Sequence, residues 1–170
     1  NNTLNVTGGN INLADGVVNN YVINSLTSAE DAKYSIDVVF SGSTGVVDKI
    51  LASSNSTGVI TIDNINYIGN IAQDTIINIL DTTSDSISIK LADILSGEKV
   101  YYYNGTRNSY NLSTNGKNII FTLILSENLK TSNATISNIS NINKNLLNDN
   151  SVYTLTEVTS DTTVPEDAVT

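Results

Sequence analysis

The feature that most constrains this fold is the recurrence of short runs rich in Ile, Val, Thr and Tyr, separated by clusters of Gly, Asn, Asp and Ser. The runs cover residues 3–6, 10–13, 21–26, 34–40, 59–68, 75–80, 86–91, 100–103, 118–125 and 152–158. β-Branched and aromatic residues favour strands, and small polar residues favour turns. Two runs also alternate between apolar and polar residues, with Ile60 and Ile62 flanking Thr61 in one and Ile87 and Ile89 flanking Ser88 in the other. Alternation directs one row of side chains to a core, so the sequence predicts an all-β fold.

The composition excludes several classes of function. The chain has no Cys and no His, which rules out disulfides, thiolate nucleophiles, Cys/His zinc sites, haem ligation and Ser-His-Asp triads. Its 17 acidic and 8 basic residues give a net charge of −9, which argues against nucleic acid as a partner and against an anionic membrane surface. No apolar run is long enough for a spanning helix, so we expect no membrane insertion by this segment.

The spacing of the strand centres indicates a repeat. Ile11, Ile36, Ile60 and Ile87 follow one another at nearly equal intervals. An interval of about 25 residues is typical of a β-solenoid, in which each coil stacks on the next. We therefore expect a β-solenoid over residues 1–96, with an antiparallel β-sandwich as the alternative fold.

The segment 97–125 predicts a three-stranded antiparallel meander. Asn-Gly pairs at 104–105 and 115–116 are flanked by β-forming residues. Asn-Gly is the strongest short signal for a hairpin, because a type I′ turn needs positive φ at both central positions. The expected pairs across the two turns are Tyr102 with Arg107 and Leu112 with Ile119. This meander would cap the coils.

The pattern weakens after residue 125. In the range 126–159, the spacing of Ile136, Ile139 and Ile142 allows either a short amphipathic helix or a further strand, and residues 152–158 predict a last strand. Residues 160–170 are acidic and are predicted to form a mobile tail.

Two groups of residues resemble the late passenger region of bacterial autotransporters. Asp48-Lys49-Ile50 precedes an alternating strand at 59–65, and Gly97-x-x-x-Tyr101-x-Tyr103 precedes a strand at 118–123. The family has a Trp near its last strand, where this chain has Phe121. The resemblance implies a pertactin-like, right-handed parallel β-helix over residues 1–96 with a hairpin cap, exported and displayed on a bacterial surface. Many such passengers are adhesins.

The candidate ligand-binding residues are an unusual aromatic group with the single Arg of the chain. They are Tyr101, Tyr102, Tyr103, Arg107 and Tyr110. Tyr faces stack on sugar rings or peptide surfaces, and Arg adds a planar set of donors. The alternative interpretation is cross-strand packing, in which aromatic pairs stabilise the hairpin and cover the core.

No other constellation predicts chemistry. No spacing singles out a pair among Asp37, Asp48, Asp63 and Asp74, as a glycoside hydrolase would need. The acidic segment 81–85 matches no calcium loop and is explained by Asx turns. We expect no catalytic residues, no metal and no cofactor.

The sequence thus predicts a non-catalytic, extracellular structural or adhesive module of a bacterial exported protein. Its expected partners are a host-surface protein or glycan, or another copy of itself. The alternatives are a carbohydrate-binding β-sandwich and, with less support, a polysaccharide lyase built on a β-helix.

Overall fold

The computed structural model of this chain describes residues 2–128, 135–137 and 154–156. The regular secondary structure of these residues is nearly all β-strand, which confirms the predicted all-β character. The strands are β1 (Thr3–Val6), β2 (Asn10–Asn12), β3 (Asn20–Ile23), β4 (Ser25–Ser28), β5 (Lys33–Ser41), β6 (Thr44–Val47), β7 (Lys49–Ala52), β8 (Thr57–Ile68), β9 (Thr75–Asn78), β10 (Leu80–Asp81), β11 (Ile87–Leu91), β12 (Glu98–Tyr103), β13 (Thr106–Asn115), β14 (Asn118–Asn128), β15 (Thr135–Ser137) and β16 (Thr154–Thr156). One 3-10 turn, Asp93–Leu95, lies between β11 and β12. Within the described ranges there is no helix long and apolar enough to cross a membrane.

Strands that are distant in sequence pair in parallel. Leu4 of β1 lies beside Leu26 of β4, although β2 and β3 separate these strands along the chain. Ile50 of β7 lies beside Leu80 of β10, with β8 and β9 between them in sequence. The parallel pairs form a seven-stranded sheet in the order β1-β4-β8-β5-β2, with β11 on β8, and a three-stranded sheet in the order β10-β7-β3. β6 joins the larger sheet antiparallel to β5, so that sheet is mixed.

The equally spaced isoleucines are not the residues that lie side by side. Ile36 lies beside Ile65, not Ile60, and Ile60 lies beside Ile89, not Ile87. Two local irregularities explain why Ile36 lies beside Ile65 rather than Ile60. The β5–β6 hairpin adds residues between parallel strands, and the β5–β8 ladder changes register between Tyr34 and Ser35. Equal spacing of isoleucines therefore does not identify the residues that stack.

The core consists of columns of apolar side chains that run across the parallel strands. One column contains Ile11, Tyr34, Ile62 and Leu91, one residue from each of four successive strands. Tyr34 and Ile62 in its middle are fully buried. Each of these two residues is therefore covered by a neighbouring strand on both sides.

The predicted antiparallel meander is present as β12, β13 and β14. Asn104 and Gly105 have φ values of 49° and 78°, the positive values that a type I′ turn requires. Tyr102 consequently lies opposite Arg107, which confirms the predicted register of the first hairpin. On its far side β14 pairs antiparallel with β9.

The predicted register of the second hairpin is wrong. Leu112 lies opposite Phe121, not Ile119. The turn is formed by Gly116 and Lys117 between paired Asn115 and Asn118, and only Gly116 has positive φ (63°). Glycine at the first central position is the pattern of a type II′ turn, so Asn115 remains in the strand.

Two short strands of the C-terminal part are described. β15 pairs in parallel with β16, and β16 falls within the predicted strand 152–158. The helical alternative is wrong for residues 135–137, which are strand. The rest of that alternative and the tail 160–170 lie outside the described residues.

Gly58 provides a test of the close approach between parallel strands. Its φ is 108°, and a Cβ there would lie 1.9 Å from the carbonyl oxygen of Ser28. We expect Gly58→Ala to lower the free energy of unfolding by about 3 kcal/mol, because it adds both backbone strain and a clash with backbone. Urea unfolding measures this. Gly8→Ala is the control, because no atom lies within 4 Å of the added methyl group. Equal effects of the two substitutions would contradict the strand contact.

Candidate functional site

Two buried aspartates form the first polar site of the structure. Asp37 lies in β5, Asp48 lies between β6 and β7, and both are 0% exposed. The β5–β6 hairpin brings them together by pairing Val38 with Val47. The Asp37 N–H donates to Asp48 Oδ2 at 2.7 Å, and the Asp48 N–H donates to the Asp37 carbonyl at 3.1 Å. We call these two residues the carboxylate pair.

The carboxylate pair holds an upstream loop against the later strands. Asp37 Oδ2 accepts the N–H groups of Asp15 and Gly16, both at 2.9 Å, and Asp48 Oδ1 accepts the N–H of Asn19 at 2.8 Å. The side-chain amide of Asn66 donates to Asp37 Oδ1 at 2.6 Å. Every carboxylate oxygen of the pair thus accepts a hydrogen bond inside the protein, which suits a structural clamp and leaves no oxygen directed at a substrate.

Burial raises the pKa of Asp48 above its ordinary value of 3.8. Hydrogen bonds from the Asp37 and Asn19 N–H groups oppose this shift, and the negative charges of Asp37 and Asp15 add to it. Neither carboxylate forms an ion pair with a cation of the described chain. Charge burial without a counter-ion is costly, and here backbone dipoles supply the compensation.

The second site is an aromatic cluster of Tyr67, Tyr101, Tyr110, Phe121 and Phe40. The rings of Tyr67 and Tyr101 stack with centroids 4.1 Å apart and planes 7° apart, and Tyr110 packs edge-on to both. Phe121 contacts Tyr67 and Tyr110 and packs edge-on to Phe40 of β5. The cluster therefore attaches the meander to the parallel sheet.

The tyrosine hydroxyls of the aromatic cluster have partners inside the protein. Tyr101 Oη donates to the Gly69 carbonyl at 2.9 Å and accepts the Ile71 N–H at 3.1 Å, and the hydroxyls of Tyr110 and Tyr67 bond to each other. Burial raises the pKa of all three phenols, that of Tyr110 to about 12. They remain neutral at physiological pH and act as packing groups with satisfied polar ends.

The opposite side of the meander carries a different set of side chains. Tyr102 lies directly across from Arg107, and both are half-buried. Val100 and Leu125, 39% and 50% exposed, lie in the neighbouring row opposite Ser109. We call this surface the outer face of the meander. Within the part of the chain that the structure describes, the Arg107 guanidinium forms no hydrogen bond or ion pair.

The structure separates the five residues predicted to form one ligand site. Tyr101 and Tyr110 belong to the aromatic cluster, as the packing interpretation expects, while Tyr102 and Arg107 share the outer face. Tyr103 pairs with Thr106 beside the type I′ turn and, by alternation, lies on the same side as Tyr101. A ligand on the outer face would therefore meet Tyr102 and Arg107 without the other three residues.

Sequence reasoning missed Tyr67 and the meeting of Asp37 with Asp48. Tyr67 lies in β8, far upstream of its partners in the meander. One signal for the carboxylate pair was available: Asp37 interrupts the apolar run of Ile36 and Val38, where an ionised side chain needs an internal partner.

An open groove of about 520 Å³ lies between the 18–20 segment, β6 and β9. Val46 and Ile76 in its lining are 54% and 65% exposed, and Lys49 is its one charged lining residue. A single ammonium group among aliphatic side chains offers no acid–base pair for catalysis. No group of three Asp or Glu side chains converges to hold a metal within the described ranges.

Neither the known protein-family models nor the curated protein sequences contain a match to this chain.

The hydroxyl of Tyr101 can be tested apart from its ring. We expect Tyr101→Phe to lower the free energy of unfolding by about 1–2 kcal/mol, because the Ile71 N–H and the Gly69 carbonyl each lose a partner while the ring stack remains. Tyr102→Phe is the matched control on the outer face and should change stability by less than about 0.5 kcal/mol. Denaturant titration of both variants makes the comparison. The assignment of Tyr101 to packing fails if the control is the more damaging substitution.

The pKa of Asp48 gives a pH prediction. Because the folded-state pKa is raised, the native state binds this proton more tightly than the unfolded state does. The stability that the protonated Asp48 contributes is therefore complete below pH 3.8 and is lost as the pH rises through the raised pKa. As the pH rises through this range, the free energy of unfolding of the wild type should fall relative to that of Asp48→Asn. A ¹³C NMR titration of the Asp48 carboxyl measures the pKa directly. A value at or below 3.8 would contradict the effect of burial.

Proposed function

We propose that this chain is a non-catalytic structural and adhesive module of a bacterial exported surface protein. In this proposal the described strands up to β11 are coils of a right-handed parallel β-helix, and the meander closes one end. The observation that carries the proposal is the column of Ile11, Tyr34, Ile62 and Leu91. A column of this kind extends without limit as coils are added, which suits a stalk.

The contacts between successive strands support a stalk because they are of several kinds. Aliphatic columns fill the interior, and the carboxylate pair links the loop at 15–19 to β5 and, through Asn66, to β8. Ser84 Oγ donates to the Ser56 carbonyl at 2.6 Å and adds a link at another corner. Each stretch of chain is therefore attached to its neighbours by backbone, apolar and polar contacts together.

The resemblance to autotransporter passengers supports export and surface display. Its residues have structural roles in this chain: Asp48 is half of the carboxylate pair, and Tyr101 and Phe121 belong to the aromatic cluster. A motif that fixes a coil corner and a hairpin cap is what a passenger of this type needs.

A cap at the end of a solenoid needs to cover open strand edges and the ends of the apolar columns. The meander covers one open strand edge and packs against an apolar residue of the large sheet. β14 pairs with the edge of β9, and Phe121, 0% exposed, packs against Phe40 of β5. Together with the ring stack of Tyr67 and Tyr101, these contacts support the role of the meander as a cap.

Carbohydrate binding is the second candidate, and one observation favours it. Arg107 lacks an internal partner within the described residues and lies across from the half-buried ring of Tyr102. An aromatic face beside a guanidinium can stack on a sugar ring and donate to its oxygens. In this second function the outer face of the meander is the adhesive surface.

Surface display and adhesion are tested together on cells that produce the protein. Antibodies raised against the chain should label intact, unpermeabilised cells, and soluble chain should reduce the adherence of these cells to a host surface by competition. Labelling only after permeabilisation would contradict display. Cleavage of a polysaccharide by the purified chain would contradict a non-catalytic role.

The competition assay also decides between the two candidates. If the outer face binds glycan, the Tyr102→Ala/Arg107→Ala variant should compete at least tenfold less well, a loss of about 1.4 kcal/mol or more. Ser113→Ala/Thr122→Ala is the matched control, because both side chains are exposed on the same meander, further along its strands from Tyr102 and Arg107. Unchanged competition by the first variant would remove glycan binding at this face and leave the stalk proposal.

A further inference from the structure

The two Asn-Gly pairs of the meander have different surroundings. At the first turn Asn104 is exposed, but Gly105 after it is buried. At the second turn Asn115 and Gly116 are both exposed. A Cβ built on Gly116 would meet no atom of the described chain within 4 Å, apart from its neighbours in sequence. Two pairs that are alike in sequence therefore differ in how easily water and solvent hydroxide reach them.

The groups at the second turn are not held by other parts of the chain. Asn115 is the last residue of β13 and pairs with Asn118, so the Gly116 N–H lies in the turn, outside the ladder. Among the described residues, neither the Gly116 N–H nor the side-chain amide of Asn115 has a hydrogen-bond partner. An exposed pair at the end of a hairpin also opens at a small cost in free energy. The Asn115 side chain can therefore turn toward the next backbone nitrogen.

We propose that Asn115 is a site of spontaneous deamidation. Hydroxide from solvent removes the Gly116 N–H proton, and the nitrogen forms a bond to Cγ of Asn115. The side-chain nitrogen leaves as ammonia, taking up a proton from water, and a cyclic imide remains. Glycine favours this step because no side chain shields its nitrogen. The attack is also intramolecular, so the two reacting groups are held close together.

Water completes the reaction by opening the imide. It adds to either carbonyl carbon of the imide and breaks the bond from that carbon to the Gly116 nitrogen. One opening gives aspartate with an ordinary backbone. The other gives isoaspartate, whose backbone runs through the former side chain and contains an additional CH2 group. In both cases a neutral amide and a water become a carboxylate and ammonia, so the chain gains a negative charge.

The isoaspartyl product weakens a contact between the meander and the coils. The Lys117 carbonyl accepts the Ile79 N–H at 3.1 Å, and the Lys117 Nζ donates to the Thr82 carbonyl at 3.3 Å. These bonds attach the second turn to the stretch 79–82. An additional CH2 group just before the turn displaces Lys117 from both partners. Aspartate at the same position leaves the length of the backbone unchanged and so preserves this attachment.

Incubation of the purified full chain in mildly alkaline buffer tests the site. Peptide mass spectrometry follows Asn115 and Asn104 in the same sample, so Asn104 is an internal control. In the folded chain we expect Asn115 to react at least about fivefold faster than Asn104. In urea the two rates should agree within about twofold, because both residues precede glycine and the fold no longer protects either. The proposal is overturned if Asn104 reacts as fast as Asn115 in the folded chain, or if Asn115 stays intact there.

A matched pair of glycine substitutions tests the attacking nitrogen. Gly116→Ala shields this nitrogen with a methyl group and should slow the reaction at Asn115 at least about tenfold. Gly9→Ala is the control, since Gly9 also has positive φ and open space around an added Cβ. It should leave the rate at Asn115 unchanged, and circular dichroism checks that both variants fold. Equal rates at Asn115 in the two variants would rule out attack by the Gly116 nitrogen.

The effect on the second turn is measured on the deamidated chain itself. Anion exchange separates this chain by its added negative charge, and an isoaspartate methyltransferase measures its isoaspartate content. We expect it to unfold at a lower urea concentration than Asn115→Asp, which has the same charge and an ordinary backbone. Equal midpoints for these two proteins would show that isoaspartate does not weaken the attachment of Lys117.

Discussion

The parallel pairing of β5 with β8 is the contact on which the rest of the structure depends. This pair forms the centre of the large sheet. β2 pairs with β5, and both β4 and β11 pair with β8. It places Tyr34 beside Ile62 and Ile36 beside Ile65, four side chains that are nearly or fully buried. A single strand of this sequence cannot bury its own apolar row, so each strand is stable only in register with the next.

Polar contacts in the loops between strands fix that register, because apolar packing alone would allow other registers. The carboxylate pair accepts hydrogen bonds from the loop at 15–19 and from Asn66, which joins three separate stretches of chain. Two buried carboxylates would be costly in an apolar core, and here each oxygen accepts an N–H group. The same arrangement removes them from solvent, so carboxylates that in another fold could serve catalysis are structural in this one.

The two sides of the meander have different roles, because one side carries residues of the aromatic cluster and the other is the outer face. Alternation along β12 directs Tyr101 to the stacked rings and Tyr102 away from them. The inner side attaches the meander to β8 and β5, and the outer side keeps an arginine without an internal partner in the described chain.

The sequence by itself determined the all-β character, the positions of most strands and the first hairpin of the meander. These features depend on neighbours in sequence: alternation over a few residues, and an Asn-Gly pair at 104–105 whose two residues adopt the positive φ values of a type I′ turn. The second hairpin differs from the prediction because Gly116 occupies the first central position of its turn, while Asn115 pairs with Asn118 and remains in the strand. The pairing of β14 with β9 extends the strand to that point.

Only the tertiary structure decided which residues stack, which carboxylates meet and which tyrosines are buried. Ile36 pairs with Ile65 because of a bulge and an inserted hairpin, and neither leaves a clear mark in the spacing of isoleucines. Asp37 and Asp48 meet across that same hairpin, and Tyr67 of β8 reaches Tyr110 of β13 from a distant part of the chain. Such contacts depend on the register of whole strands, which is set by the sum of many weak interactions rather than by any local motif.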